Sequence, residues 1–375
     1  MMLRANHLTL REIRLPLKEP FRISSGEVSE RRICLLELRD ADGVSAWSEC
    51  VAGESPNYSS ETIDTAWLAI TQWLAPRALN RTFKQPNEVF GILSNGIRGH
   101  NMAKAAVEMG FWALDAKLRG IALSELLGGT RDRVVTGISL GIQQSPDALV
   151  ERARRARAEG YRKIKLKIMP GSDIDYVRAV REDLGADASI MADANSAYTI
   201  QDADHLAQLD AFKLLMIEQP LGQDDLVRHA TLQTRLETPL CLDESITDVQ
   251  RAEDMITLGS GRIINIKPGR VGGFTQSLAI HDLCQRSRIP VWCGGMLESG
   301  IGRAHNVALA SLPNFTLPGD LSPSARYWER DIVLPEWTMD ADGMVRVPRE
   351  MPGIGVAVDR DRIDDLTIRS EVVAP

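Results

Sequence analysis

Three acidic residues stand at equal intervals in this chain: Asp193, Glu218 and Asp243, each 25 residues after the last. Each closes a short apolar run, SIMAD, LLMIE and PLCLD, and lysines close the neighbouring runs, KIKLK at Lys167 and RIINIK at Lys267. The gaps between these runs are long enough for a crossover helix, which parallel strands require. Strand, helix, strand at a steady period produces a parallel sheet. Charges that end successive parallel strands gather at one edge of that sheet, so the pattern constrains fold and site together.

Strands are predicted near 134–140, 163–168, 189–193, 214–218, 239–243, 262–267, 290–293 and 315–318. Helices are predicted near 145–159, 173–184, 201–210, 223–236, 247–258, 273–287 and 299–312; the first has Ser145-Pro146 at its start and Gly160 after its end. Eight strands with seven helices predict a (β/α)7β modified TIM barrel over 131–320. Ahead of it, 7–17 and 33–39 read as strands, with the turn-rich EPFRISSGEVS between them. Helical patterning covers 59–79, with Ile63, Trp67, Ile70 and Trp73 or Leu74 at helical spacing, and 103–128. Trp67, Trp73 and Trp112 are expected in the core. These elements predict an α+β capping domain over 1–130, with Gly128-Gly129-Thr130 as its boundary. The polar, Pro/Gly-rich segment 321–375 is expected to pack back on the cap.

The barrel reading defines a site. Side chains alternate along a strand, so Ile164, Leu166 and Ile168 face the helices and Lys163, Lys165 and Lys167 face inward. Buried ammonium groups need anionic partners or a polar cavity. Asn265 and Lys267 point inward by the same rule, as do Asp193, Glu218 and Asp243. Catalytic groups of such barrels collect at the C-terminal strand ends. Three carboxylates without histidine or cysteine suit Mg²⁺, with Mn²⁺ as the alternative. Lys167 and Lys267 are expected to face each other across the mouth. A hard cation stabilises charge developing on a substrate carboxylate as its α-proton leaves. One lysine then removes the proton and the other returns one to the opposite face; a β leaving group would turn the reaction into elimination. Lys163, deeper in its strand, is expected in a structural ion pair, and Asp320, after the eighth strand, in a turn.

The formal charge of −7 and the lack of a basic block argue against nucleic-acid binding. Five cysteines, an odd number with no C-x-x-C pair, argue against a disulfide or zinc framework. No apolar run is long enough for a membrane span or a signal peptide, so a cytoplasmic enzyme is expected.

The motifs K-x-K at 165–167, D-A-N at 193–195, E-Q-P at 218–220, D-E-S at 243–245 and N-I-K-P-G-R at 265–270 together resemble the enolase superfamily, muconate-lactonizing subgroup. Within it, residues 291–332, AKAAVEMGFWALDA and GYRKIKLKIMPG are similar to the N-succinylamino acid racemase / o-succinylbenzoate synthase family. The resemblance spans nearly the whole chain. It implies that Asp193, Glu218 and Asp243 bind Mg²⁺, and that Lys167 and Lys267 are the acid/base pair, with Lys165 supporting Lys167. It implies orienting roles for Asn195, Glu244 and Arg270, and substrate contacts from Ser139, Gly294, Gly295, Met296, Leu297, Tyr58 and the cap loop 19–29. The loop LGQDDL at 221–226 departs from the more acidic loop of the family, which touches substrate detail and leaves the ligands intact.

The expected activity is racemisation of N-acyl, especially N-succinyl, amino acids. The alternative is syn-dehydration to o-succinylbenzoate in menaquinone synthesis, or both activities together. Muconate cycloisomerisation would keep both lysines, and only overall similarity speaks against it. A dipeptide epimerase would carry D-x-D where GGMLESG stands, and a mandelate-type racemase a histidine in place of Lys267. A non-catalytic metal-binding barrel would need neither amine. The partner is a small-molecule carboxylate, and a homo-oligomer is expected.

Overall fold

The computed structural model describes residues 2–374. Seven parallel strands follow one another in sequence order: Ile138–Leu140, Ile164–Lys167, Ile190–Asp193, Ile217–Glu218, Leu240–Leu242, Ile263–Ile266 and Val291–Cys293. Phe315 bridges Val291 and Gly319 bridges Thr136, both parallel, so an eighth segment joins the last strand back to the first. That segment makes single bridges and not the regular strand predicted at 315–318, because Pro313 and Pro318 offer no backbone donor. Ile164, Leu166, Ile190, Ala192, Ile217 and Leu240 pack outward in one apolar cluster with the surrounding helices.

The strand predicted over 134–140 divides in two. Arg133–Val135 pairs antiparallel with Met344–Arg346, and only Ile138–Leu140 enters the barrel. The break falls at Gly137, where a Cβ would lie 2.6 Å from Cε of Lys163, so a glycine is needed to admit the inward lysine. The helix predicted near 201–210 is three short turns, Ile200–Asp202, Ala203–Leu206 and Ala207–Phe212. Its aspartates serve other partners: Asp202 caps Thr199, and Asp210 accepts from the amides of Glu237 and Thr238.

The second sheet is antiparallel, in the order Thr367–Val373, His7–Ile23, Gly26–Arg39, Ser45–Cys50. The turn-rich stretch predicted after residue 17 is largely strand. Phe21 pairs with Val28, Arg22 with Glu27 and Ile23 with Gly26, leaving only Ser24-Ser25 as the turn. The irregularity falls instead between Pro16 and Phe21, where Pro16 and Pro20 cannot donate. This hairpin reaches the barrel: Ser24 Oγ donates to the carbonyls of Ala194 and Asn195, at 3.4 and 3.3 Å.

The helical stretch expected over 59–79 begins after a Thr62 capping box and contains a π turn at Ile70–Leu74. The extra residue rotates the following side chains. Leu74 is therefore fully buried, while Trp73, expected in the core, is 42% exposed; Trp67 and Trp112 are buried.

Two cap glutamates terminate barrel helices. Glu108, on Asn101–Arg119, accepts from the amides of Phe274 and Thr275 at 2.8 and 2.9 Å, at the start of Phe274–Ser287. Glu49, on Ser45–Cys50, accepts from the amides of Ser299 and Gly302 at 3.2 and 3.0 Å, at the start of Gly300–Ala310. Helix N-termini leave donors without intrahelical partners, so each carboxylate satisfies one domain with a group from the other. Glu108→Ala strands buried donors and is expected to lower the unfolding free energy by about 2 kcal/mol. Urea denaturation measures it; a loss under about 0.5 kcal/mol would mean the cap is not a structural joint.

Candidate active site

The ladder register sets Lys167 beside Asp193 and Asp193 beside Glu218, on three adjacent strands. Asp243 and Lys267 each follow the last residue of their strands. All five side chains, together with Lys165, are buried. Lys165 Nζ lies 3.1 Å from Asp193, 3.2 Å from Glu218 and 2.8 Å from Asp320. Lys167 Nζ donates to Asp193 and to Asn195 Oδ1, both at 2.6 Å. Lys267 Nζ donates to Asp243 Oδ2 at 2.8 Å and to the Tyr58 hydroxyl at 3.2 Å. Tyr58 in turn donates to Asp243 Oδ1 at 2.9 Å, so a cap residue reaches the barrel carboxylate. Arg270, buried and not at the surface, pairs with Asp243 and donates to the Asn265 carbonyl at 2.5 Å.

The surroundings push the three lysines apart. Burial lowers the Lys167 ammonium, with Lys165 adding repulsion, and these outweigh the pull of Asp193. Burial would lower Lys165 too, but Asp320, Glu218 and Asp193 together hold it well above the usual lysine range. Lys267 is raised: burial opposes this, and the Tyr58 oxygen, Glu218 and Glu244 prevail. Burial would raise Asp193, but Lys167 and Lys165 hold it well below the ordinary carboxylate range.

Asn195 has a left-handed backbone (φ 42°) immediately past the Asp193 strand, as does Gln219 (φ 40°) past Glu218. Such strain is common at functional sites. Asn195 links Lys167 to Glu244, donating to Glu244 Oε1 at 2.9 Å, and Glu244 Oε2 has no partner. Gln219 ties the strand ends together, accepting from the amides of Asp243 and Ser245 at 3.0 and 3.2 Å.

Among the described residues, no three acidic, histidine or cysteine side chains converge on one point. Each buried carboxylate turns instead to the nearest ammonium or guanidinium, as buried anions must. The chemistry of the set still fits a hard divalent cation. Three carboxylates occupy adjacent strand ends, and each has at least one cation among its partners, drawn from Lys165, Lys167, Lys267 and Arg270.

Lys167, Lys267 and Asn195 face one cavity of about 380 Å³ between barrel and cap. The hairpin supplies its apolar wall through Phe21, Ile23 and Val28, and Tyr58, Gly295, Met296 and Leu297 also line it. Ser139 and Gly294 lie inside the barrel and not on that wall. Ser139 pairs with Lys165 in the ladder and its hydroxyl is unpartnered. Gly294 leaves room for Lys267, whose Cε would be 2.6 Å from a Cβ there.

Two buried acids escape the sequence reading. Glu298 accepts from the Met296 amide at 2.8 Å, from Asn306 at 2.7 Å and from Arg303 at 3.2 Å, which fixes the loop that lines the cavity. The available signal was a polar cluster, Arg303, His305 and Asn306, on a helix otherwise built of glycine and apolar residues. Asp320, expected in a turn, is buried against Lys165 and Lys163. Lys163 does sit in an internal ion pair, and also 3.5 Å above the Trp292 ring. Glu298→Ala is expected to speed deuterium uptake at the Met296 amide roughly tenfold, whereas Glu298→Gln keeps an acceptor and stays near wild type. Hydrogen-exchange mass spectrometry over 294–300 decides it; unchanged uptake in the alanine variant would remove Glu298 from loop control.

A capped barrel bearing three carboxylates flanked by lysines at successive strand ends has the architecture of the enolase-superfamily enzymes. Residues 5–128 match the family described as mandelate racemase / muconate lactonizing enzyme, N-terminal domain, and residues 148–362 match the enolase C-terminal domain-like family; the chain belongs to this family. It is 49% identical to an o-succinylbenzoate synthase of Geobacillus stearothermophilus, over 98% of this chain and 97% of that protein. It is 46% identical to an N-succinylamino acid racemase of Amycolatopsis sp, over 96% of each chain. A solved enolase-superfamily protein from Listeria innocua superposes with a TM-score of 0.95 at 40% identity, covering 100% of both chains. Members of the superfamily are typically metal-dependent. Among the described residues, no helix is long and apolar enough to cross a membrane.

Proposed function

We propose that this enzyme abstracts the proton α to a carboxylate with the help of Mg²⁺ (Mn²⁺ second), through an enolate, and that its main reaction is 1,1-proton transfer on N-succinyl or other N-acyl amino acids. The observation that carries the reading is two amines, Lys167 and Lys267, facing one cavity from strands on either side of three carboxylates. Asp193, Glu218 and Asp243 are the residues to hold the cation, which supplies electrostatic stabilisation of the charge that develops on the substrate carboxylate.

Lys167 takes the α-proton from one face and Lys267 delivers a proton to the other, which inverts the carbon. Asn195 orients Lys167 by accepting from it, and Tyr58 and Asp243 hold Lys267. The hairpin and the Gly295–Leu297 loop enclose the acyl part and exclude water. The second reading is syn-dehydration to o-succinylbenzoate, favoured by relatives that carry that name. In it, the proton taken by Lys167 returns to the departing hydroxyl on the same face, water leaves, and the Lys267 ammonium stabilises the enolate.

N-succinyl amino acids of either hand are expected to exchange their α-proton with D₂O only when a divalent metal is present, as read by NMR. Absence of exchange for every N-acyl amino acid tried, with no turnover of the dehydratase substrate, would overturn the proposal. Lys267→Ala is expected to slow inversion by roughly 10²–10⁴-fold while one enantiomer still exchanges through Lys167. Normal racemisation by that variant would refute the two-base assignment. Asp243→Ala is expected to weaken metal binding and turnover together; full activity in excess chelator would refute the metal role.

A further inference from the structure

We infer that Asp320 is a positioning residue that gives the Lys165 ammonium a counter-ion outside the carboxylate trio, so that Asp193 and Glu218 remain available to a divalent cation. The inference rests on the reading that these two carboxylates hold the metal.

Lys165 has three carboxylate partners, and Asp320 is the nearest, at 2.8 Å against 3.1 Å to Asp193 and 3.2 Å to Glu218. An ammonium has three protons to place. If Asp320 were absent, its only buried anions would be the two carboxylates the cation needs, and at these separations the attraction is strong and poorly screened. The ammonium and the metal would then compete for the same oxygens. Asp320 removes that competition from the side opposite to Asp193 and Glu218 in the chain order, since it follows the eighth segment.

Its placement is enforced by backbone. The Asp320 amide donates to the Cys293 carbonyl at 2.9 Å, and its carbonyl accepts from Arg303 at 2.7 Å. A Cβ on Gly295 would lie 2.9 Å from that carbonyl, so the glycine allows the close approach. The Leu321 amide donates to Thr136 Oγ1 at 3.2 Å and pins the next residue.

The simpler explanation is that Asp320 only neutralises Lys163. The geometry disfavours it. Asp320 approaches Lys165 Nζ more closely, at 2.8 Å through Oδ2 against 3.2 Å to Lys163 Nζ through Oδ1, and Lys163 has the face of Trp292 at 3.5 Å as a second partner.

The test is Mn²⁺ affinity of the purified full-length protein, read by the EPR signal of free Mn²⁺, with no substrate present. Asp320→Asn is expected to weaken binding at least tenfold. Lys163→Met alone should leave it within threefold of wild type. The double variant Lys163→Met/Asp320→Asn keeps the local charge balance and should remain weakened. Should Asp320→Asn alone fail to fold, the charge-matched double variant carries the same readout. Wild-type affinity in Asp320→Asn, or recovery of it in the double variant, would overturn the inference and leave the metal reading standing. Wild-type protein that binds no Mn²⁺ would overturn both.

Discussion

Charge inside a protein is tolerated only where each ion meets a partner, because desolvation costs several kcal/mol per group. The barrel of this protein meets that condition by interleaving ammonium groups and carboxylates at the ends of neighbouring strands. Lys165 is shared by Asp193, Glu218 and Asp320, Lys167 takes Asp193, and Lys267 and Arg270 take Asp243. Removing Asp243 would leave both Lys267 and Arg270 without their carboxylate partner. The same arrangement places the amines proposed for proton transfer and the carboxylates proposed to hold the cation within one hydrogen bond of each other, so stability and the proposed chemistry draw on the same contacts.

The cap and the barrel are joined by equally polar means. Glu49 and Glu108 finish barrel helices from the cap side, Ser24 touches the carbonyls beside Asn195, and Tyr58 bridges Lys267 and Asp243. Directional bonds of this kind set the orientation of the two units, which apolar packing alone does loosely. The result is a cavity whose reactive floor comes from one unit and whose apolar wall comes from the other. The hairpin side of the cavity can therefore vary without disturbing the lysines.

The two amines that face the cavity are not equivalent. Lys167 sits between burial and the like charge of Lys165, which favour its neutral form, while the environment of Lys267 favours the ammonium. Environments that drive two titratable groups apart are those that suit paired acid and base roles.

Much of this was legible in the chain. Period-two alternation in KIKLKI and RIINIK assigned Lys165, Lys167, Asn265 and Lys267 to the interior, and runs ending in Asp193, Glu218 and Asp243 placed those acids at one rim. Such patterns are local, since a strand turns alternate side chains to opposite faces whatever surrounds it. The phase slip that exposes Trp73, the break at Gly137 and the extended hairpin through Phe21 were not legible, because each depends on what the segment packs against. Glu298 and Asp320 carried no periodic signal, being single acids in loops. Sequence by itself therefore determined the order of elements, the inward face of each strand and the charges at the rim. Tertiary structure alone decided which distant groups meet: Tyr58 with Asp243, Glu108 with Phe274, Asp320 with Lys165. The physical reason is that such meetings are set by the docking of segments far apart along the chain, where no local spacing constrains the direction of a side chain.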